Sequence, residues 1–316
     1  MRSNPDRSFH PAFNAEPPVS RSWSNQEERG TPFMLHLIRW IAMHLGRGIA
    51  RLILYPITLY FLLFAPSARR ASRHFLQRIS EQPVRWWHIA RHIHHFSATI
   101  LDRVFLLTGK FSKLDVQVHA MDLLEKHRAA GSGCILLGSH IGSFEVLRAL
   151  AIAKYQLPVK VLMQEAHNEM ITRILHTLNP EIADSVIQLG EPNALLEVNE
   201  YLQQGYLIGM LGDRVAASSK TTRCKVLRSE ATLPTGPMLA ASVLKVPVVL
   251  FFGIYNGSNR YNIYFEEFAD NITIDQKPHG HDLHYWVQKY ADRLTYHAQQ
   301  SPYNWFNFYD FWGDDT

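Results

Sequence analysis

A chain of 316 residues with 47% hydrophobic and 19% charged residues can bury one large core or two modest ones, and this composition indicates a globular protein. The net charge is +4, and the two cysteines, Cys134 and Cys224, are too few for a disulfide framework or a cysteine-based zinc site. A reducing, cytoplasmic setting is therefore expected.

The first 110 residues predict two regions ahead of the main domain. Residues 1–30 are polar, lack the apolar core of a secretory signal, and predict a disordered tail. Residues 31–110 predict a basic helical region, because they hold eleven Lys or Arg residues against two acidic ones, Glu81 and Asp102. This excess of positive charge indicates an anionic partner, and both a membrane and a nucleic acid qualify.

A membrane is the favoured partner of the basic region. Residues 52–65 form an uncharged apolar run, and the residues before it place basic and apolar side chains on opposite faces of an amphipathic helix. These fourteen residues are fewer than a spanning helix needs, about 17, while Pro56 interrupts the run and both flanks are basic. We therefore predict a monotopic insertion, with one spanning helix or a buried core helix as alternatives. No zinc-finger spacing or RNA-binding signature supports a nucleic acid.

Three histidines of the basic region repeat at helical spacing. His88, His92 and His95 would share one helix face, where they could be read as metal ligands. The first and the third would lie ~10 Å apart along the helix axis, which is too far to share a tetrahedral ion. We expect these side chains to pack or to face lipid phosphates, and no metal site is predicted.

Residues 111–316 change to short apolar runs that alternate with helical segments. This alternation predicts an α/β domain with a mixed, mostly parallel sheet flanked by helices. The predicted strands lie near residues 133–138, 159–163, 185–189, 206–211, 223–227, 248–255 and 261–266. The predicted helices cover residues 144–155, 168–178, 191–204, 237–244 and 281–299.

The most informative candidates for a site are His140 and Glu145, at the turn between the first predicted strand and the helix that follows it. With Ser143 as the predicted helix N-cap, Glu145 falls in the first helical turn, where the macrodipole favours a carboxylate. The bend can bring the two side chains together, and a neutral imidazole held by a carboxylate can act as a general base. The alternative is a histidine held by nearby backbone and a glutamate that only complements the helix end.

Two further candidate clusters come later in the chain, and the first of them follows a strand, at the sheet edge where such folds bind ligands. Asp213 and Arg214 come directly after a predicted strand and could bind a phosphate or a pantetheine arm, or could form a surface ion pair in a simple turn. Thr235 and Gly236 precede a helix that begins at Pro237, and such a helix start can hold an oxyanion or a phosphate.

Together these motifs resemble the late lipid A acyltransferases of Gram-negative bacteria, within the glycerophosphate and lysophospholipid acyltransferase superfamily. The resemblance runs from about residue 33 to residue 312. It rests on the N-terminal hydrophobic helix, His-x4-Glu at residues 140–145, Gly-Asp-Arg at 212–214, Leu-Pro-Thr-Gly-Pro at 233–237 and the aromatic ending at 301–312.

The resemblance implies transfer of a fatty acyl group from an acyl-carrier-protein or coenzyme A thioester to a hydroxyl of a lipid, at the cytoplasmic face of the bacterial inner membrane. His140 would be the general base, and Glu145 would orient its imidazole. Arg214 and Arg173 would bind phosphate or carrier groups, and backbone amides near Gly236 would hold the oxyanion. The other implied substrate-binding residues are Ser143, Asp213 and Thr235. No cofactor, metal ion or nucleic-acid partner is implied.

Two departures limit what the resemblance implies about the acceptor. The Pro-Glu-Gly motif of the superfamily is Pro-Thr-Gly at residues 234–236, so a glycerophosphate acceptor is less expected, and Asp310 stands where lipid A enzymes more often have a basic residue. A lipid A precursor, another glycolipid, an amino-acid lipid and a polyene pigment lipid stay open as acceptors. Two other functions also stay open: a thioesterase that uses the same dyad, and a non-catalytic lipid-binding protein.

Overall fold

The computed structural model describes residues 46–129, 131–153, 155–163, 184–190, 192–216, 219–274 and 282–313, together with residues 40 and 44. These residues confirm the predicted fold class, because a mixed sheet of mostly parallel strands is flanked by helices. The predicted tail at residues 1–30, the predicted helix at residues 168–178 and the candidate site residue Arg173 lie outside the described residues.

In the described part of the chain, three α-helices precede the sheet: α1 (Gly46–Phe64), α2 (Pro66–Ile79) and α3 (Trp86–Leu107). α3 contributes to the apolar cores on both faces of the sheet, with Ile89 and Ile93 in one core and Leu101 and Phe105 in the other. The N-terminal helices are therefore part of the folded core. The division of the chain at residue 110 stays a prediction.

Polar contacts fix one side of α1 to the rest of the protein. Arg47 binds the buried carboxylate of Asp102 through two nitrogens, at 2.8 and 2.9 Å. One turn later, Arg51 Nη2 donates to the hydroxyl of Tyr255 at 2.7 Å. By length and composition alone, α1 is the one helix among the described residues that could cross a membrane.

Seven of the described strands form the main sheet, in the order β1-β9-β8-β2-β5-β3-β4. Neighbouring strands are parallel except β8 and β9, which are antiparallel. The strands are β1 (Asp115–His119), β2 (Cys134–Gly138), β3 (Val159–Met163), β4 (Val186–Gln188), β5 (Leu207–Leu211), β8 (Val248–Tyr255) and β9 (Arg260–Ala269). A separate antiparallel hairpin contains β6 (Thr221–Val226) and β7 (Ser229–Pro234).

Two strands were not predicted, β1 and β7. β1 lies at the sheet edge and is mostly exposed, so it lacks the apolar run that marks the buried strands. β7 ends at Pro234 inside a segment that was interpreted only as a turn leading into a helix. Among the residues that the structure describes, the α-helices that follow α3 are α4 (Asp122–Ala129), α5 (Phe144–Ala153), α6 (Ala194–Gln203), α7 (Gly236–Leu244) and α8 (Leu283–Gln300).

The centre of the sheet positions the functional site. β2 is buried at all of its residues and lies between β5 and β8, both parallel to it. Strands covered on both faces are typical of parallel sheets with helices on each side. The ends of β2 and β5 therefore hold the backbone of the two following turns in fixed relative positions.

Candidate active site

The turns after β2 and β5 meet at one edge of the sheet. Gly138, the last residue of β2, pairs in register with Leu211, the last residue of β5. His140 and Asp213 each lie two residues beyond these strand ends, so the register brings them side by side. This carboxyl edge is where α/β folds bind their ligands.

His140 and Asp213 form a hydrogen-bonded pair. His140 Nδ1 lies 2.7 Å from Asp213 Oδ1, and the backbone N–H of His140 donates to both carboxylate oxygens, at 3.1 and 3.0 Å. Because an ionised carboxylate only accepts hydrogen bonds, this contact assigns the proton to Nδ1 and leaves a free lone pair on Nε2. The His140 side chain is 25% exposed and that of Asp213 is 0% exposed, so solvent reaches the imidazole but not the carboxylate.

Two side chains of the C-terminal segment, residues 301–312, complete the donors around Asp213. Trp305 Nε1 and Asn307 Nδ2 donate to Oδ2 at 2.9 and 3.0 Å. Burial alone would raise the pKa of Asp213, but its interaction with His140, the nearby charge of Arg214 and the Trp305 hydrogen bond outweigh it and hold that pKa well below its usual range. The carboxylate is therefore ionised and fully supplied with donors.

The imidazole itself is kept neutral. Burial and the nearby charge of Arg214 lower the pKa of His140, and the opposing effect of Asp213 does not reverse this direction. Arg214 is held in place by the C-terminal segment, because its Nε donates to Asn307 Oδ1 at 2.9 Å and its Nη2 to the Phe306 carbonyl at 3.1 Å. A neutral imidazole with one free nitrogen is the state that a general base requires.

The C-terminal segment also holds the backbone of the turn that carries His140. The N–H of Gly142 donates to the carbonyl of Asn304 at 2.7 Å, and the N–H of Phe306 donates to the carbonyl of His140 at 2.9 Å. The position of the imidazole therefore depends on residues that lie more than 160 positions later in the sequence.

A close approach between this turn and β8 requires glycine at position 142. Gly142 has a φ of +79°, and a Cβ atom there would lie 2.0 Å from the carbonyl oxygen of Gly253. The next residue, Ser143, donates its N–H to that same carbonyl at 2.7 Å. Any side chain at residue 142 would thus separate the turn from β8.

Glu145 does not contact His140. Its Oε2 atom accepts two hydrogen bonds from Arg148, at 2.7 Å from Nη2 and 3.1 Å from Nε, and both side chains are almost fully buried. Residues three apart share one face of a helix, so Arg148 is the partner that α5 itself supplies. The expected orientation of the imidazole by Glu145 is therefore corrected to orientation by Asp213, because the strand register brings Asp213 to Nδ1.

Comparison with known proteins identifies the family of this chain. Residues 88–313 match the family model described as bacterial lipid A biosynthesis acyltransferase. The chain belongs to this family. It is thus an acyltransferase of a family that acts on lipid, and the main sheet, the His140 turn and the C-terminal segment all lie within the matched residues. A search of curated proteins found no match.

The other predicted site residues of this family member lie in two places. Ser143 is buried beside the His140 turn, and its hydroxyl makes no hydrogen bond, so it does not cap α5 through its side chain. Thr235 is the residue before α7, and its hydroxyl donates to the carbonyl of Lys220 at 3.0 Å. Gly236 begins α7, and among the described residues no hydrogen bond joins this helix start to His140. Their roles in substrate binding stay predictions.

The sequence interpretation missed several side chains around the base. Trp305 and Asn307 bind the Asp213 carboxylate, and Arg148 neutralises Glu145. The aromatic ending at residues 301–312 drew attention to the segment that contains Trp305 and Asn307. It did not indicate which carboxylate these two side chains contact.

No metal centre is found in the part of the chain that the structure describes, where no three His, Cys, Asp or Glu side chains are grouped suitably. His92 instead bridges two elements, with Ser72 Oγ at 2.9 Å from Nδ1 and the Trp305 carbonyl at 2.9 Å from Nε2. His88 Nδ1 accepts the backbone N–H of Arg85 at 3.1 Å.

Proposed function

We propose that this protein transfers a fatty acyl group from an acyl-carrier-protein or coenzyme A thioester to a hydroxyl group of a lipid, with His140 as the general base and Asp213 as the carboxylate that orients it. The observation that carries the proposal is the 2.7 Å contact between His140 Nδ1 and Asp213, which leaves Nε2 free on a partly exposed imidazole. General base catalysis of this kind contributes about 10²–10⁴-fold in rate.

The reaction follows from this arrangement. Nε2 of His140 removes the proton of the acceptor hydroxyl as the hydroxyl oxygen attacks the carbonyl carbon of the thioester. A C–O bond forms, and the carbonyl electron pair moves to oxygen. When that pair returns, the C–S bond breaks and the imidazolium gives its proton to the leaving thiolate. Asp213 stabilises the imidazolium between these two proton transfers.

Membership of the family favours a lipid A-type glycolipid as the acceptor. Other glycolipids, amino-acid lipids and pigment lipids that carry a free hydroxyl are alternative acceptors. No cofactor or metal ion takes part in this mechanism, because the thioester is already activated and the base is a side chain.

We further propose that the protein binds the cytoplasmic face of the bacterial inner membrane with α1 lying in the membrane surface. The outer face of α1 carries exposed apolar side chains, among them Leu52, Tyr55 and Leu59, all more than half exposed. A crossing orientation would pull the helix away from the contacts of Arg47 and Arg51, which bind it to the core. Amphipathic helices that expose an apolar face lie in the membrane surface with that face buried among the lipids.

The His140→Ala variant tests the proposed reaction. Purified protein is incubated with a radiolabelled acyl-carrier-protein thioester and a bacterial membrane lipid extract, and labelled lipid is separated from labelled free acid. We expect wild-type protein to produce labelled lipid and His140→Ala to lose this activity while it still binds the thioester. Arg128→Gln, at an exposed position of α4, is the matched control and should keep full activity.

Three outcomes would reject the proposal. Transfer by His140→Ala at the wild-type rate would show that the base is elsewhere. Release of free acid without labelled lipid would identify a thioesterase. Tight binding of lipid extract with no turnover of either kind would identify a lipid-binding protein.

A further inference from the structure

Two arginines and a histidine surround the rings of Tyr255 and Tyr303, where α1, α3 and the C-terminal segment meet. Arg51 Nη2 donates to the Tyr255 hydroxyl at 2.7 Å, and the guanidinium carbon lies 5.8 Å from the centre of that ring. The ring of His95 lies 5.1 Å from the ring of Tyr255 and 5.7 Å from that of Tyr303. The guanidinium of Arg91 lies over the Tyr303 ring at 4.5 Å. These contacts join the five residues into one group, the Arg51–Arg91 cluster.

The Arg51–Arg91 cluster carries positive charge without a carboxylate. Among the described residues, neither Arg51 nor Arg91 forms an ion pair, whereas Arg47, one turn before Arg51, binds a buried carboxylate. Burial and nearby charges, that of Arg91 foremost, lower the pKa of His95 to about 4. The imidazole of His95 is therefore neutral at pH 7. An anion bound in the cluster would face two guanidinium charges and one neutral imidazole.

Two buried polar atoms of this cluster lack a hydrogen bond. In the described part of the chain, four buried side-chain nitrogen or oxygen atoms have no partner, and Arg51 Nη1 and His95 Nδ1 are two of them. Both belong to side chains that contact Tyr255. A buried donor without a partner lowers stability, and a bound ion is one explanation for such an atom in a folded protein. An oxyanion beside Tyr255 would supply the missing partner to both atoms.

The cluster reaches the surface of the protein. Arg91 is exposed, and the side chains of Arg51, His95 and Tyr303 are each partly exposed, while Tyr255 forms a buried floor. An anion therefore approaches from the side of Arg91 and Tyr303.

The cluster lies between the apolar outer face of α1 and the His140 turn. Tyr55, which is more than half exposed on that outer face, has its ring 5.1 Å from the ring of His94 on α3. On the other side, Tyr303 precedes Asn304, whose carbonyl accepts a backbone N–H of the turn at 2.7 Å. When α1 lies in the membrane surface, the headgroups of lipids whose chains stay in the bilayer lie next to this cluster.

We propose that the Arg51–Arg91 cluster binds the phosphate group of a lipid at the membrane surface. The site deepens the proposed function and rests on the proposed placement of α1 in that surface. Phosphate oxygens accept hydrogen bonds from the planar guanidinium of arginine and from a neutral imidazole N–H. Two lipids supply such a phosphate: the acceptor, when it is a phosphorylated glycolipid, and an anionic phospholipid of the bilayer.

Kinetics and vesicle binding of Arg51→Gln and Arg91→Gln test the site. Arg128→Gln is the matched control, because it removes the same charge from an exposed position of α4. The acceptors are a phosphorylated glucosamine disaccharide lipid and the same lipid after phosphatase treatment. The vesicles contain phosphatidylcholine alone or phosphatidylcholine mixed with phosphatidylglycerol, and bound protein is measured by sedimentation.

The two sources of phosphate predict different results for Arg51→Gln. Binding of the acceptor phosphate predicts a KM raised by about 10–100-fold with the phosphorylated acceptor alone, and an unchanged kcat. Binding of a bilayer phosphate predicts instead an affinity for phosphatidylglycerol vesicles that is about tenfold lower than that of Arg128→Gln, and an equal change of KM with both acceptors. Arg91→Gln should change the same quantity by a smaller factor, because Arg91 is exposed and its contact with the phosphate is shared with water.

A measurement that needs no enzymatic activity separates this site from the proposed reaction. Thermal unfolding is followed at constant ionic strength while inorganic phosphate replaces chloride. We expect phosphate to raise the Tm of wild type and of Arg128→Gln by more than it raises the Tm of Arg51→Gln and Arg91→Gln. If Arg51→Gln is already destabilised in chloride by the loss of its contact with Tyr255, the exposed variant Arg91→Gln decides.

The site is rejected if Arg51→Gln and Arg91→Gln equal Arg128→Gln in KM with both acceptors, in vesicle binding and in the Tm shift caused by phosphate. The contacts with the two tyrosines would then be structural. If the wild type transfers no acyl group at all, the proposed reaction fails, and vesicle binding and the phosphate-dependent shift alone then decide on the site.

Discussion

Two buried carboxylates lie on either side of the His140 turn, and their partners differ in kind. Asp213, after β5, accepts from an imidazole, an indole, a side-chain amide and a backbone N–H. Glu145, in the first turn of α5, accepts two hydrogen bonds from one guanidinium. Both groups have a pKa below the usual value, although burial alone would raise it.

The difference decides which carboxylate can assist a base. Arg148 already neutralises Glu145, so an imidazolium beside it would gain little further stabilisation. Asp213 keeps its negative charge among mostly neutral donors, and the charge is therefore available to His140. We therefore propose a role in the reaction for Asp213 and a role in stability for Glu145.

Asp213→Asn should cause the largest loss of activity. The amide of asparagine can donate to His140 Nδ1. This would favour the tautomer with the proton on Nε2, which cannot accept a proton from the acceptor hydroxyl at that nitrogen. In a serine protease triad the equivalent change costs about 10⁴-fold in kcat, and we expect about 10³–10⁴-fold here. The measurement is kcat for acyl transfer at pH 7 and at pH 9, with far-UV circular dichroism to confirm folding.

Glu145→Gln is the matched variant at the second carboxylate. We expect a smaller loss of kcat, because His140 keeps its hydrogen bonds to Asp213. A larger loss of kcat in Glu145→Gln than in Asp213→Asn, in folded protein, would reverse the assignment of the two carboxylates.

Arg148→Met should produce the largest loss of stability. It leaves Glu145 as a buried carboxylate without its hydrogen-bonding cation, and such changes cost about 3–5 kcal/mol in the free energy of unfolding. The double variant Glu145→Leu/Arg148→Met should recover much of this loss, because no buried charge of the pair remains. Urea unfolding of both single variants and the double variant measures the coupling energy.

Additive losses in that cycle would contradict the buried ion pair. If Glu145→Leu/Arg148→Met loses as much free energy of unfolding as the sum of the two single variants, Glu145 and Arg148 do not stabilise each other. Asp213 provides the contrast, since none of its hydrogen-bond donors belongs to a lysine or an arginine.

The sequence predicts the sheet well because the pattern of buried strands is local. β3 and β8 were predicted with the observed bounds, and β8 in particular is a continuous apolar run, which marks a strand that is covered on both faces. The edge strand β1 lacks that run and was missed. His140 could likewise be found from the turn that carries it.

The partner of His140 could not be found in the same way. Glu145 is close in sequence, whereas Asp213 comes into contact only through the parallel pairing of β2 with β5. Periodicity does not give the order of strands in a sheet. The roles of Trp305 and Asn307 were hidden for the same reason, because they act on a residue that is about ninety positions away.

Trp305→Phe should lower the free energy of unfolding by an intermediate amount, because it removes one of the donors to Asp213. The change keeps the aromatic packing but removes the indole N–H that donates to Oδ2 at 2.9 Å. Hydrogen bonds to charged groups contribute about 1.5–3 kcal/mol. We expect a loss of that size in the free energy of unfolding at pH 7, measured by urea titration. Trp86→Phe, on an exposed residue of α3, is the matched control and should unfold as wild type does.

The smallest expected effect concerns His92, which contacts the backbone of Trp305, the residue whose indole donates to Asp213. Its Nε2 contacts the Trp305 carbonyl and its Nδ1 contacts Ser72, and full burial lowers the pKa of His92 to about 3. Between about pH 3 and the ordinary histidine pKa near 6.5, the unfolded chain therefore binds a proton that the folded protein does not. Acidification in this window favours unfolding.

We expect His92→Gln to make the stability of the protein less dependent on pH. Glutamine can still donate to the Trp305 carbonyl but does not titrate, so the slope of unfolding free energy against pH should fall by up to about 1.4 kcal/mol per pH unit between pH 4 and pH 6. Urea titrations across this range measure the slope, with His119→Gln on the exposed β1 strand as the control. An unchanged slope in His92→Gln would mean that His92 is protonated in the folded protein. In that case both ring nitrogens of His92 would donate, one to Ser72 and one to the Trp305 carbonyl. A positive charge would then lie next to Trp305, as the charge of Arg148 lies next to Glu145.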